Sequence, residues 1–242
     1  MGISTVDPSH HLNLEDRIQA LRQSLPPSVR IIAVSKFMPP EAMRRAYGAG
    51  IRDFGESRVQ EAAHKQSQLA DLPDITWHLI GHLQTNKARL ALEIFDWIHS
   101  LDSLKLAQRL NGLVGDRSPS SDFPRPQVLL QVKLRPDGNK FGWQWPDLEA
   151  DLPHLDQLGN LSIRGLMTIL PQGLTVQDQQ TTFTNLHDLA LGLEKQPWQR
   201  LSFRELSMGM SGDYSLAIEA GATMIRVGTL IFGSRPLGVD SL

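Results

Sequence analysis

Apolar positions along the chain fall into two alternating rhythms. Short β-branched or apolar runs recur at Arg30–Ser35, Ile51–Phe54, Thr76–Ile80, Trp97–Ser100, Gln127–Leu134, Ser162–Ile169, Phe203–Ser207 and Thr223–Val227. Each has the length and composition of a strand. Helix-spaced stretches lie between them. Ala42, Met43, Ala46 and Tyr47 share one helical face after Pro39-Pro40, where proline suits a first turn. Leu83–Phe95, Ser103–Leu113 and Thr175–Leu193 carry similar spacing, and Leu12–Leu25 predicts a leading helix. The alternation implies an α/β protein built of parallel βα units. An open doubly wound sheet and a closed (β/α)8 TIM-type barrel both accept that pattern. Eight units within 242 residues suit the barrel better, whose usual size is about 250 residues. In either case the chemistry belongs at the carboxyl ends of the strands. Gly115–Pro126, rich in Ser, Pro and Asp, reads as a surface loop rather than a boundary, so residues 1–242 read as a single domain. Residues 1–11 and 236–242 are expected to be flexible.

Charge and composition remove several function classes. Lys and Arg total 24 against 26 Asp and Glu, a net charge of −2. No basic footprint for nucleic acid and no polybasic membrane patch follows from that balance. Cysteine is absent, which excludes disulfides, thiolate nucleophiles and sulfur-ligated zinc. No apolar run approaches the roughly 18 residues of a membrane helix. Asp7, His10, His11, Glu15 and Asp16 stand where a signal peptide would need apolar residues. The expected setting is the cytoplasm.

The strand ends carry the candidate chemistry. In the first strand, Ile32, Val34 and Lys36 share one side by the period of two. A lysine that extends an apolar row into a barrel mouth is either a desolvated nucleophile toward carbonyls or a side chain snorkelling out. In the last strand Arg226 alternates with Ile225 and Val227 and so turns inward. It is read either as half of a structural salt bridge or as part of an anion site, since Gly228-Thr229 follows directly. The turn after the seventh strand, Ser207-Met208-Gly209-Met210-Ser211-Gly212-Asp213, offers Ser211 as a helix N-cap between glycines, with Asp213 placed to complement the helix dipole. Barrel phosphate sites often use the loops after strands seven and eight. His78 shares a side with Ile80 and reads either as pocket lining or as a core histidine. The His78 and His82 pair does not read as a metal site, because the segment is a strand running into a turn. Together, a strand-end lysine, an inward arginine and a phosphate cradle suit a phosphorylated aldehyde, for which pyridoxal 5′-phosphate (PLP) is the obvious candidate.

The same residues resemble the pyridoxal phosphate homeostasis protein family. The matching stretches are Ala33-Val34-Ser35-Lys36, Phe54-Gly55-Glu56, Val59-Gln60-Glu61, Trp77 through Lys87, Lys140-Phe141-Gly142, Gly165-Leu166-Met167-Thr168, Leu206 through Ser211 and Arg226 through Gly233. The resemblance implies one barrel of PLP fold type III, similar to the alanine racemase N-terminal domain. It implies that Lys36 holds PLP as a Schiff base, that Arg226 faces the pyridine nitrogen, and that Ser207, Gly228 and Thr229 hold the phosphate. Ile80, Asn86 and Met167 are further cofactor contacts by the same likeness. An arginine at the ring nitrogen keeps it unprotonated, which makes a poor electron sink. The family commonly reads Gly-Glu-Asn at the second strand, where this chain has Gly55-Glu56-Ser57; Ser57 is a shorter substitute for an asparagine that the resemblance would turn toward the cofactor. Relative to the racemase, a second domain with its catalytic tyrosine is expected to be absent, which would leave racemisation without half its machinery. The expected function is PLP holding in vitamin B6 homeostasis and amino-acid and keto-acid balance, without catalytic turnover. PLP-dependent apoenzymes are the expected recipients and a monomer the expected state. The alternatives are a racemase-like or aldolase-like PLP enzyme, and a PLP-sensing regulatory interaction protein.

Overall fold

Alternation of apolar residues in the first strand decides which wall of the molecule each side chain joins. In β1 (Arg30–Val34), Ile32 faces a small inner cluster with Trp97, Leu129, Met167 and Met224, while Ala33 joins the larger outer core. The computed structural model describes residues 12–116, 125–138 and 140–233. The ends expected to be flexible, most of the 115–126 loop and His10-His11 lie outside the described residues.

The strands that follow are β2 (Asp53–Glu56), β3 (Thr76–Leu79), β4 (Trp97–Leu101), β5 (Gln127–Lys133), the short β6 (Trp143–Gln144), β7 (Ser162–Met167), β8 (Glu205–Met210) and β9 (Met224–Val227). All pairings are parallel, in the order β4-β3-β2-β1-β9-β8-β7-β5, and β4 pairs β5 to close the ring. The open-sheet alternative is thereby excluded, and the fold is the closed α/β barrel. β6 pairs only along β5, outside the ring. The first and last strands meet at one seam, with Arg30 opposite Met224 and Ala33 opposite Val227.

Helices α1 (Leu14–Gln23), α2 (Pro40–Gly48), α3 (Val59–Gln68), α4 (Ala88–Ile94), α5 (Leu104–Gly115), α6 (Trp145–Leu155), α7 (Val176–Glu194), α8 (Tyr214–Glu219) and α9 (Thr229–Phe232) fill the connections. Local chemistry sets their starts. Asn13, Ser103 and Thr175 accept backbone N–H bonds from Asp16, Leu106 and Asp178 with their side chains. Pro40 occupies the first turn of α2, where no backbone donor is needed. Among the described residues no helix is long and apolar enough to cross a membrane.

Several boundaries differ from expectation. The second strand begins at Asp53 rather than Ile51 and takes in Gly55-Glu56. The eighth runs on to Met210, because Gly209 at φ 88° carries the chain past a register shift between Ser207 and Met210. The turn is therefore shorter than the glycines suggest, and Ser211 is not the cap of α8. Asp213 holds that position and accepts the Met210 N–H at 2.5 Å. The sequence pattern does not predict α3, α6 or α9: Lys65 breaks the apolar face of α3, α9 is a single turn, and α6 carries Pro153 within it although Leu148, Leu152 and Leu155 form its buried face.

Candidate functional site

The end of β1 is held by a buried ionic cluster. Lys65, on α3, donates to Ser35 O at 2.7 Å, Glu56 Oε1 at 2.8 Å and Glu61 Oε1 at 2.7 Å. Its three ammonium protons thus meet three acceptors. Ser35 Oγ also donates to Glu56 Oε1 at 2.6 Å, and the Phe37 N–H donates to Glu61 Oε1 at 2.7 Å. Lys36, half-buried, lies between these two clamped neighbours. Phe37 sits in the left-handed region at φ 65°, a conformation a bulky residue adopts only when its surroundings impose it. Burial pushes the Glu56 carboxyl upward, and the Lys65 ammonium opposes the shift.

Arg226 is inward, as the alternation in the last strand requires. Its guanidinium is buried and donates to Ser207 O and Oγ, both at 2.7 Å, and to Thr168 O at 2.8 Å. These acceptors are neutral, so the salt-bridge reading of Arg226 fails at the level of direct contacts. Desolvation lowers its pKa to about 10, with Asp213 acting in the opposite sense; the side chain keeps its charge at neutral pH. Ser207 Oγ lies 2.8 Å from His99 Nδ1, His99 Nε2 lies 2.9 Å from His78 Nδ1, and His78 Nε2 lies 2.9 Å from Asp53 Oδ1. Burial holds both histidines below the ordinary imidazole range, His99 by far the more. His78 is thus a hydrogen-bonded residue of the barrel interior. His82 has separate partners, Asp102 at 2.8 Å and the stacked ring of Phe141.

The register joins the two ends. Ile32 pairs with Arg226, and Gly228, two residues on, lies against the backbone of Val34: a Cβ on Gly228 would stand 3.3 Å from Val34 O. Ser211 Oγ accepts from the Gly228 N–H at 3.4 Å. Thr229 is exposed as the first residue of α9. Of the other expected contacts, Ile80 packs over Gly55 beside Ile32, and Met167 is fully buried in the inner cluster. Asn86 is exposed on the 3-10 turn Thr85–Lys87. Ser207 is fully buried, its hydroxyl engaged by Arg226 and His99.

Sequence reasoning passed over Lys65 and His99. Both left a signal. Lys65 interrupts the stripe Val59, Ala62, Leu69 on the buried face of α3. His99 stands two residues after Trp97 in a strand that is buried throughout.

An all-parallel barrel with a lysine ending its first strand and an arginine turned inward from its last defines a class, that of the alanine racemase N-terminal domain. The model of that family matches residues 10–236. A pyridoxal phosphate homeostasis protein of Synechocystis is 54% identical over 212 residues, 88% of this chain and 94% of the relative. That of Pseudomonas aeruginosa is 44% identical over 216 residues, 89% of each. The chain belongs to the pyridoxal phosphate homeostasis protein family. The structure of PipY from Synechococcus elongatus with PLP bound is 52% identical with a TM-score of 0.85, covering 91% of this chain and 100% of that one. An alanine racemase from E. faecalis shares the fold, at TM-score 0.70 and 14% identity, over 95% of this chain and 60% of the racemase.

Proposed function

We propose that this chain, as one barrel domain over residues 1–242, holds PLP reversibly at the mouth of the barrel in the service of vitamin B6 homeostasis. The observation that carries this is the β1–β9 seam: the pairing of Ile32 with Arg226, and the close approach of Gly228 to the Val34 backbone, gathers Lys36, the inward guanidinium and a backbone N–H at one rim. The donors suit a phosphorylated pyridine aldehyde. When bound, PLP supplies an aldehyde carbon that an amine takes up reversibly with loss of water. Lys36 is that amine. Gly228 N–H, Ser211 and Thr229 receive the phosphate, the glycine letting this turn lie close against Val34. Ser207 supports Arg226 from beneath. Ile80 and Met167 line the apolar side, and Asn86 stands at the rim.

Arg226, charged at neutral pH, faces the pyridine nitrogen and keeps it unprotonated. The ring then draws electrons weakly, which suits holding over turnover. The charged groups beside Lys36 favour the same reading, because Glu56, Glu61 and Lys65 are already bonded to one another and to the backbone. A chain without catalytic turnover, monomeric and cytoplasmic, delivering PLP to PLP-dependent apoenzymes, completes the proposal.

Borohydride treatment of PLP-loaded protein followed by peptide mass analysis tests the site. The pyridoxyl mass is expected on Lys36, and Lys36→Ala should lose the near-ultraviolet cofactor band with unchanged far-ultraviolet circular dichroism. A modification on another lysine, or an unaltered band in the variant, overturns the assignment.

A further inference from the structure

The barrel lumen contains a continuous file of polar groups that gripping a ligand at the rim does not by itself require. It begins at Asp53, the first residue of β2, and passes through His78 on β3, His99 on β4 and Ser207 on β8 to Arg226 on β9. Every step lies between 2.7 and 2.9 Å. The interior members are fully buried, where an unmade hydrogen bond is costly.

The direction of the file follows from donor and acceptor chemistry. A carboxylate only accepts, so a neutral His78 presents Nε2–H to Asp53 and accepts at Nδ1; arginine only donates, so Ser207 Oγ accepts from Arg226 and turns its O–H to His99 Nδ1. A neutral His99 then carries its proton on Nε2 and donates to His78 Nδ1. His78 in turn carries its proton on Nε2 and donates to Asp53. One proton fills each link, and no link has two. The file therefore has a cation at one end and a carboxylate at the other. Hydrogen bonds aligned in one sense polarise each other, which makes Ser207 Oγ a stronger acceptor than an isolated hydroxyl.

We propose that Asp53, His78, His99 and Ser207 are positioning residues for Arg226, forming a one-way hydrogen-bond chain through the barrel by which a carboxylate at its amino end orients the guanidinium at its cofactor end. Arg226 touches neutral acceptors alone, and a buried charge needs compensation. The chain supplies it from a distance. Other charges face it too. Arg30 lies 3.8 Å from Asp53 and over the Trp97 ring, Asp96 acts on His78, and Asp213 acts on Arg226. The consequence for PLP rests on the function proposed above; the chain itself does not.

The test has one arm for each. In the full-length protein without cofactor, long-range proton–nitrogen NMR of labelled histidines is expected to show His78 and His99 both as neutral Nε2–H tautomers from pH 6 to 8, conditions set by the ordinary imidazole range of about 6.5. An Nδ1–H tautomer or an imidazolium at either ring overturns the chain. In the second arm, Asp53→Ala should bind PLP roughly tenfold more weakly, with a displaced absorbance maximum, and Asp53→Glu should restore both. An Asp53→Ala protein with unaltered affinity and spectrum refutes the positioning role. If the unsubstituted protein takes up no PLP, the cofactor reading falls, and the tautomers still decide the chain.

Discussion

Replacing Lys65 by methionine keeps an unbranched side chain, one heavy atom shorter, and removes its charge and its donors. The structure sets the size of the effect. The Lys65 side chain is 5% exposed and that of Glu56 0%. Three bonds of 2.7 to 2.8 Å are lost at once. Glu56 Oε2 already has no hydrogen-bond partner, so the carboxylate keeps only the Ser35 hydroxyl. Removing one member of a buried ion pair costs about 3–5 kcal/mol, which for a chain of this size lowers Tm by about 6–20 °C. The sign with pH follows from Glu56. Its carboxyl is raised from an ordinary 4.5 by burial, so folding favours its protonated form. The stability this group contributes is full below that ordinary value and is lost as pH rises through the elevated one. Without Lys65 the elevation grows, so the gap between Lys65→Met and the parent should be widest near pH 8 and narrow toward pH 5. Thermal melts across that range measure it. Adding Glu56→Gln to Lys65→Met should recover at least half of the loss at pH 8. A gap independent of pH, or strictly additive losses in the double variant, would refute the assignment of the cost to a stranded carboxylate.

Other outcomes follow from the same geometry. Gly228→Ala sets a methyl 3.3 Å from Val34 O at an ordinary backbone angle; PLP uptake should weaken about tenfold through loss of the amide contact, and a drop in Tm matching that of a core variant would contradict this. Gly209→Ala combines φ 88° with a Cβ 2.6 Å from that of Ala217, so urea unfolding should register a loss of about 2–4 kcal/mol; a neutral result would mean that the β8–α8 contact yields freely. His78 and His99 are buried with lowered pKa values, so their contribution is present above pH 6.5 and is lost as pH falls below it. The urea midpoint of the parent should therefore fall more between pH 7 and 5.5 than that of His99→Gln, and parallel curves would count against buried neutral imidazoles.

The architecture was legible because its signals are local. Period-two alternation turns Ile32 and Arg226 inward, and Pro40, Ser103 and Thr175 mark helix starts by chemistry within four residues. Positions where one residue serves two structures misled. Gly209 looks like a turn glycine, yet it continues a strand; its positive φ needs glycine, and its missing Cβ makes room for Ala217. Ser211 resembles a cap, yet its hydroxyl turns to Gly228 on another strand's end. The Lys65 cluster was hidden for a different reason. Its acceptors come from Ser35, Glu56 and Glu61, so its meaning appears only after β1, β2 and α3 are packed together. A lysine in an apolar stripe, and Glu61 one turn before it, are visible in one dimension; the buried Glu56 carboxylate and the Ser35 carbonyl are not. The same holds for His99, whose partners lie on β3 and β8.

The seam between β1 and β9 has a consequence for how the protein is made. Lys36 follows the first strand and Arg226 sits in the last, so the ribosome emits the two sides of the seam far apart in time. On the function proposed above, a nascent chain would complete its grip on the ligand only after the final strand has emerged and paired with the first.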